Sequence, residues 1–476
     1  MNEYLILMKS ELLVTAIIFI ILFFKIRNTE STDNTLVADN TNVLSWINIL
    51  LLVNFISGFF MNGTGSLFGE MFVSSEILTF EKNLLNLGTL LISMQAYDWL
   101  RTHKHVYEFY MLLLSTLLGM FFMISTQNLM MFYLALELST IPLAALVNFD
   151  LERKRSSEAA MKMIMMSAFS SGILLFGISM FYGTTGTLSL TALPLLLDHS
   201  PLQLFSLILI IAGFGFKISA VPFHLWTADV YEGAPASVTA YLSVVSKAAI
   251  LFVMIPVLYN SFKPLDVEWY QILYLLSIAT MIVGNLFALR QNNLKRLLAF
   301  SSIAQIGFIL VGMTGQSVEG GTSVVYFILI YIFSNLGAFG VVTLVSAVSN
   351  KETIYDYRGF YKTNPLLSWV LAISLFSLAG IPPAAGFFGK FFLLMAGAAK
   401  ENYTLVIIAA LNMIVSLYYY LRVIKAMFME KSDEPIQPIK ISILPKAALI
   451  VCMTGMIVTG LYGDVYNYIY ALISAL

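Results

Sequence analysis

Long apolar stretches alternate with short polar segments along almost the whole chain. Fourteen of them are interpreted as membrane spans, because a helix needs about 20 mainly apolar residues to cross the hydrocarbon core of a bilayer. The final segment after them, in which Tyr466, Tyr468 and Tyr470 alternate with other residue types, is predicted to lie at the membrane interface. The pattern therefore predicts an all-α polytopic membrane protein. The predicted spans are 11–26, 44–62, 76–97, 106–125, 127–148, 158–181, 203–223, 234–259, 268–289, 297–315, 322–348, 366–396, 403–428 and 443–462.

The basic residues fall mainly on one side of this arrangement. The segments that follow odd-numbered spans hold 17 of the 26 lysines and arginines, and the segments on the opposite side hold three. Because short loops rich in lysine and arginine stay in the cytoplasm, both termini are expected on the outer side. A miscounted span would mix the two sets, so this asymmetry supports the even number of spans.

Composition agrees with a chain that exposes little surface to water. Hydrophobic residues make up 59% of the chain and charged residues 11%, whereas a soluble domain carries about 25% charged residues. The net charge of −1 provides no basic surface for nucleic acid. A single cysteine, Cys452, excludes an intrachain disulfide and a cysteine-based metal site, and no metal site is predicted.

Among the charged residues inside the predicted spans, five are candidates for a function, because a charge at mid-membrane costs at least about 2.5–3.5 kcal/mol. They are Glu137, Lys162, Lys217, Lys247 and Lys390. Buried ion pairs are the structural explanation for such residues, yet one carboxylate cannot neutralise four amines. Desolvation and mutual repulsion make some of these amines exchangeable proton carriers. A proton path is therefore the favoured interpretation.

Three of the basic residues inside the spans have a simpler interpretation. Lys82 and Arg422 lie near span ends, where a long side chain can reach the membrane interface, and this is the expectation for both. Lys162 keeps this alternative as well, because it lies only about one turn into its helix, four residues after Glu158.

Prolines interrupt the same spans that carry two of the lysines. Pro222 follows Lys217 by five residues, and Pro382 and Pro383 precede Lys390. A proline inside a helix removes an amide donor and frees carbonyls one turn earlier, and broken backbone at membrane depth must be buried or line a hydrated cavity. Spans seven and twelve are therefore predicted to be discontinuous helices.

The two broken spans are five apart, which suggests two five-helix units. An odd number of spans in each unit gives the units opposite orientations, an inverted repeat. The predicted divisions are helices 1–3 at residues 1–105, the first repeat at 106–259, the second repeat at 260–428, and helix 14 with the interfacial tail at 429–476. Lys247 is expected to connect the two half-paths near the midplane.

One long motif indicates a family. The run FKISAVPFHLWTADVYEGAPASVTAYLSVVSKAA, with LALELSTIPL before it and LKRLLAFSSIAQIGF after it, resembles the antiporter-like membrane subunits of respiratory complex I. The resemblance covers roughly residues 75 to 430. The segment DVYEGAP, expected to be a cytoplasmic loop, and a lysine rather than a glutamate at the break of span twelve make the chain most similar to the N type.

The resemblance implies a role for each residue that matches the family pattern. Glu137 would be the glutamate that modulates a neighbouring lysine, Lys217 the broken-helix lysine, and Lys162 its neighbour. Lys247 would be the central connecting lysine, and Lys390 the terminal one at the second break.

Two further positions are implied as a relay or entrance. His224, near the cytoplasmic end of span seven, would be either a polar cap of the broken helix or a proton relay. Gln305 stands where the family often has histidine, and it can hydrogen-bond a water chain but cannot titrate. Lys295 and Arg296, which begin the tenth span, are expected to be cytoplasmic anchors rather than carriers.

The resemblance also implies where the remaining chemistry takes place. FMN, iron–sulfur clusters and quinone would lie in partner subunits, since this chain has no nucleotide-binding fingerprint and no cysteine cluster. The partners would be the M- and L-type antiporter-like subunits, the small A, J and K types, and the lipid bilayer of the bacterial inner membrane. The chain would move protons, driven by NADH-to-quinone electron transfer in other subunits. Two alternatives stay open, a subunit of a multisubunit Mrp-type cation/proton antiporter and a non-conducting scaffold.

Overall fold

The computed structural model describes residues 2–27, 36–60, 63–349 and 351–475. These residues form 21 α-helices and one hairpin of two antiparallel strands, β1 (Gly65–Leu67) and β2 (Phe72–Ser74). The helices, in chain order, are α1 (Asn2–Leu7), α2 (Lys9–Arg27), α3 (Leu36–Ser57), α4 (Glu76–Gln95), α5 (Tyr97–Leu100), α6 (Val106–Ser125), α7 (Leu129–Val147), α8 (Lys154–Thr185), α9 (Pro201–Ile218), α10 (Leu225–Gly233), α11 (Ala236–Ser243), α12 (Val245–Pro256), α13 (Asp266–Leu289), α14 (Leu294–Met313), α15 (Val318–Ser349), α16 (Phe360–Thr363), α17 (Pro365–Ala379), α18 (Ala385–Ala398), α19 (Tyr403–Met429), α20 (Ile443–Leu461) and α21 (Asp464–Ser474).

Most of these helices suit a bilayer, and the chain is an all-α polytopic membrane protein. Within the described ranges, 11 stretches are long and apolar enough to cross a membrane. Four more helices lie in predicted spans: α2 and α4, which carry several charges, and the shorter α17 and α18. The qualifying stretches are Asp39–Ser57, Val106–Ser125, Leu129–Val147, Lys154–Thr185, Pro201–Ile218, Ala236–Ser261, Lys263–Leu289, Leu294–Met313, Val318–Ser349, Tyr403–Met429 and Ile443–Leu461.

The helix bounds follow the apolar runs closely. The fourth predicted span, 106–125, coincides with α6. The second, 44–62, begins too late, because α3 starts at Leu36, where polar residues such as Asp39 and Asn40 continue the helix ahead of the apolar run. The end of that predicted span, 61–62, lies outside the described residues. So do residues 1, 28–35, 350 and 476, which the predicted divisions include.

The chain divides into two compact units, and the first comprises residues 1–217 and 245–268. Here α6 and α7 pack closely, because Gly119 of α6 has no side chain to hold them apart: a Cβ at this position would lie 2.5 Å from the Ser139 nitrogen. Helix α12 packs against α4 and α6, and α8 packs against α7.

The second unit comprises residues 218–244 and 269–476, and it is built around α15. This helix is apolar on all sides, as expected for a helix enclosed by others, and it packs against α11, α14, α17, α18, α20 and α21. The terminal helix α21 rests on it through Tyr466, whose ring lies 5.5 Å from that of Tyr326.

Helix breaks occur where the prolines predict them. Helix α9 ends at Ile218, before Ser219 with a positive φ of 65°, and α10 begins only after Pro222. Helix α17 ends at Ala379, before Gly380 with a φ of 84°, and α18 begins after Pro382 and Pro383.

A third break, which no sequence signal predicts, separates α11 from α12. It falls at Val244, between Ser243 and Val245, in a run without proline or glycine. Lys247 therefore lies in the first turn of α12 rather than in the middle of a continuous helix.

Candidate functional site

The Lys217 ammonium is held by hydroxyl groups within the first unit. It donates to Thr140 Oγ1 at 2.7 Å and to Ser167 Oγ at 3.2 Å. Glu137 lies one helical turn before Thr140 on α7 and acts electrostatically on the ammonium. Its Oε1 atom is buried and has no hydrogen-bond partner among the described residues. The structure thus brings Glu137 and Lys217 into one polar site.

Lys162 lies on a more open part of α8. Its side chain is 43% exposed, and its Nζ atom is 2.8 Å from Glu158 Oε1, one turn earlier. On this face an ion pair one turn apart contributes little to stability. A transport role for Lys162 stays a prediction.

Lys247 is enclosed within the first unit. Its side chain is 1% exposed, and its neighbours Val245, Ala248 and Ala249 are buried as well. The break at Val244 places the amine in the first turn of α12, and irregular backbone at membrane depth must be buried or line a hydrated cavity.

Lys390 occupies the break between α17 and α18 in the second unit. Its Nζ atom donates to the carbonyl oxygens of Leu378 at 2.7 Å and Ala379 at 3.4 Å. These carbonyls belong to the last turn of α17, where a helix carries partial negative charge. The Phe308 ring centroid lies 4.7 Å from Nζ, so ring and carbonyls together solvate a completely buried ammonium.

Gln305 is a direct neighbour of this site. Its amide Nε2 donates to the same Leu378 carbonyl at 2.8 Å and to the Tyr420 hydroxyl at 3.1 Å. That hydroxyl also bonds to Ser301. The side chain is thus placed for a relay, and its relay role stays a prediction.

His224 stands at the helix break between α9 and α10. It precedes α10 at the N-cap position, and its side chain makes no bond to the start of α10 but bonds to the backbone of Pro222 in the break, so both the polar-cap and the relay interpretations stay predictions. The expectation that DVYEGAP is a loop was wrong: Asp229 to Gly233 complete α10. Two acidic residues of this motif bind Arg296 Nη1, Asp229 at 2.9 Å and Glu232 at 2.7 Å. The motif thus anchors α10 to α14.

The side chain of Lys295 is buried, whereas a cytoplasmic anchor would be expected to be exposed. Its Nζ atom lies 2.8 Å from Glu352 Oε1 and donates to the carbonyl of Ala234 at 3.3 Å. The hydrogen bond therefore ties the start of α14 to the residue after α10, and the ion pair ties it to the segment after α15.

Sequence reasoning missed several buried hydroxyl and amide groups of the second unit. The Asn335 amide donates to the Tyr331 hydroxyl at 2.7 Å and to Ser243 Oγ at 3.2 Å. Such residues are uncharged, and in an apolar run they resemble ordinary packing. The signal that could have revealed them is the spacing of Tyr331 and Asn335, four residues apart on one face of α15.

The expectation that Lys82 and Arg422 extend to the membrane interface was wrong for Lys82. The Lys82 side chain is 2% exposed, and its Nζ atom lies 2.6 Å from Glu11 Oε1. Its partner is 71 residues earlier in the chain, so spacing could not reveal the pair. Arg422 is partly buried and binds the carbonyls of Leu289 and Gln291 beyond the end of α13.

No group of three or more His, Cys, Asp or Glu side chains in the described part of the chain could hold a metal ion. The arrangement instead offers protonatable amines solvated by hydroxyl and carbonyl oxygens.

Comparison with known proteins identifies the family. A family described as NADH:quinone oxidoreductase/Mrp antiporter, TM, matches residues 126–416. A relative named NADH-quinone oxidoreductase subunit N, from Azobacteroides pseudotrichonymphae, is 47% identical over 410 residues, covering 85% of each chain.

Two solved structures share the fold. A chain of respiratory complex I from Thermus thermophilus has a TM-score of 0.79 and 27% identity, covering 96% of this chain and 98% of that one. A chain of the Mrp complex from Dietzia sp. has a TM-score of 0.83 at 19% identity, covering 98% and 96%, and shows the fold alone. The identity and coverage together establish that this chain belongs to the NADH-quinone oxidoreductase subunit N family.

Proposed function

We propose that this chain moves protons through the membrane along Glu137, Lys162, Lys217, Lys247 and Lys390. As a member of the subunit N family, it is an antiporter-like subunit of a proton-translocating NADH:quinone oxidoreductase. The observation that carries the residue assignment is the burial of Lys247 and Lys390, each beside a helix break. Charged residues at membrane depth that line polar breaks mark ion pathways in transporters.

The chemistry of each step is proton exchange between an amine and its polar surroundings. At Lys217, the two hydroxyls can accept from the ammonium and donate to a neutral amine. Glu137 would favour the charged form of this lysine, so a change in the position of that carboxylate would release or recapture its proton. At Lys390, the carbonyls of α17 can accept from the ammonium but cannot donate to a neutral amine.

Several finer features belong to the same proposal. The chain would have fourteen spans, with discontinuous helices seven and twelve and two inverted five-helix repeats at 106–259 and 260–428. Both termini would face the outer side of the bacterial inner membrane. FMN, iron–sulfur clusters and quinone would be bound by partner subunits, among them the M, L, A, J and K types. The similarity of the two proline-interrupted breaks supports the repeat.

An Mrp-type cation/proton antiporter is the second candidate, because the matched family includes such subunits. Relatives named subunit N at 47% identity favour the respiratory complex. Purification of the chain from its native membrane distinguishes the two. The respiratory assignment requires that NADH-oxidising subunits accompany it, and their absence from an intact complex would favour the antiporter.

Replacement of Lys217 or Lys247 by alanine tests the proton path. In an assembled complex reconstituted into vesicles, either change should abolish most of the proton pumping that accompanies NADH oxidation. Lys400→Ala is the matched control, because this exposed lysine lies outside the spans. Pumping at the wild-type level in both the Lys217→Ala and the Lys247→Ala variants would rule out conduction through these groups.

A further inference from the structure

One face of α4 carries a buried polar residue at every turn. These residues are three or four positions apart, so they lie in one row along the helix. The row runs over 15 residues, so its ends are about 21 Å apart at the rise of an α-helix. None of its members is more than 7% exposed. We call this row the α4 polar stripe; it consists of Thr79, Lys82, Asn86, Thr89 and Ser93.

Neighbouring helices of the first unit supply polar partners along the α4 polar stripe. Asn54 of α3 donates to Asn86 Oδ1 at 2.7 Å. Near the other end, Ser93 Oγ donates to Asn48 Oδ1 at 3.0 Å and lies 2.7 Å from the hydroxyl of Tyr110. The hydroxyls of Ser93 and Tyr110 can pass a proton by exchanging donor and acceptor roles, and the asparagine amides can hydrogen-bond water that carries it between them.

The ion pair of Lys82 and Glu11 lies on this stripe, and a second carboxylate lies beside it. Glu81 is 4% exposed, and its Oε2 atom has no hydrogen-bond partner in the described part of the chain. Lys82 and Glu11 already balance each other at 2.6 Å. An ionised Glu81 would therefore be an excess buried charge, which a protein avoids by leaving the group neutral.

Other charged groups do not supply the missing partner. Helices α3, α5, α6 and α12 pack most closely against α4, and α2 contacts it through Glu11. Apart from Glu11, the charged residues of these helices are Lys9, Lys25, Arg27, Asp39, Asp98, Glu108 and Lys247. Of these, Glu108 pairs with Lys25 at 2.9 Å. Lys82 is the charged residue that acts electrostatically on Glu81.

We propose that Glu81, beside the Lys82–Glu11 pair, is a proton-binding site that exchanges its proton along the α4 polar stripe. This site lies outside the five residues of the proposed path and goes beyond that proposal. The ligand is a proton, which leaves the ion pair intact and makes the buried carboxyl neutral. A purely structural stripe would join helices by the same hydrogen bonds, but it would not require a protonated Glu81.

Infrared difference spectroscopy of the intact purified complex tests this site directly. The wild type minus Glu81→Gln spectrum should contain the carbonyl band of a protonated carboxyl group. Glutamine has the shape of the neutral acid, so this variant should assemble. If it does not, Glu81→Asp replaces it, and a protonated site then predicts a shifted band. Spectra without such a band at neutral pH would overturn the proposal.

The route is tested by the rate at which that band shifts after transfer to heavy water. Asn86→Leu interrupts the α4 polar stripe and should slow the shift about tenfold, as one lost hydrogen bond predicts. Asn83→Leu is the matched control, because Asn83 is equally buried on α4 but off the stripe. Equal rates in the two variants would overturn the route. The measurement requires no turnover, so it is independent of Lys217 and Lys247.

Discussion

Lys217 and Lys390 differ in the groups that surround each ammonium. Lys217 has two hydroxyls and a nearby carboxylate, whereas Lys390 has two carbonyls and an aromatic ring. A carboxylate can change the charge balance of its site, but carbonyls cannot. Lys217 therefore has a charged neighbour that can bias its proton affinity, and Lys390 depends on the backbone of α17.

Gln305→Leu should reduce proton pumping severalfold. The change removes the donor to the Leu378 carbonyl and leaves the Tyr420 hydroxyl without this amide, at a cost of about 1–3 kcal/mol for each unsatisfied buried group. Gln305→His should retain pumping, since imidazole can still donate. Pumping per NADH oxidised is the measurement. Equal activity of the leucine and histidine variants would contradict a relay at this position.

His103 makes stability depend on pH in a loop outside the membrane. Its ring stacks on Phe149 at 4.7 Å, and burial lowers its pKa below the ordinary value of 6.5, although Asp150 at 3.9 Å opposes this. The unfolded chain therefore binds this proton first as pH falls. Stability is complete above pH 6.5 and declines as pH drops toward the folded-state pKa.

Thermal denaturation one unit above and one unit below a pH of about 6.5 tests this. The loss of melting temperature at the lower pH should be smaller in His103→Gln than in the wild type. Identical losses would show that another group is responsible.

At the scale of the helices, the breaks differ in whether the local sequence marks them. Prolines follow the ends of α9 and α17, and a proline cannot continue a helix. Gly380 also follows α17, and glycine readily adopts the left-handed conformation that ends a helix. The end of α11 has no such mark. There tertiary packing overrides local preference.

Gly380→Ala should disturb the second break. At a φ of 84°, an alanine costs about 1–2 kcal/mol, and its Cβ would lie 3.2 Å from the Cδ atom of Lys390. We expect lower thermal stability of the complex and reduced pumping. Gly172→Ala in α8 is the control, since nothing lies within 4 Å of its Cβ and helix propensity favours alanine by about 1 kcal/mol. If Gly380→Ala leaves both thermal stability and pumping unchanged, the break does not require glycine at this position.

Much of the helix pattern could be predicted from the sequence, and so could the presence of lysines such as Lys247 and Lys390 inside the membrane protein. Helix α6 was predictable because its apolar run ends at polar residues on both sides. The surroundings of each amine were not: Thr140 and Ser167 are 77 and 50 residues from Lys217 in the chain. Hydroxyl residues in membrane helices are common, so nothing local distinguishes those that bind an ammonium. The same holds for Glu11 and Lys82.

At the scale of the whole molecule, the distribution of basic residues predicts its orientation. The loop that contains Lys431 and the loop that contains Lys400 belong to opposite sets in the charge count. The single native cysteine, Cys452, is buried, so introduced cysteines can be labelled without interference.

Asp433→Cys should react with a membrane-impermeant reagent only from the cytoplasmic side, and Lys400→Cys only from the outside. Both positions are exposed in the structure. Labelling in inside-out and right-side-out vesicles is the measurement. Reaction of both cysteines from the same side would show that the chain does not cross the membrane an odd number of times between them.

The Leu378 carbonyl accepts two hydrogen bonds, one from Lys390 and one from Gln305. A carbonyl oxygen has two lone pairs, so neither donor displaces the other. When the lysine gives up its proton, the amide still holds the last turn of α17 in place. The empty and loaded states of the amine can therefore share one backbone geometry, and reloading requires no refolding of the helix end.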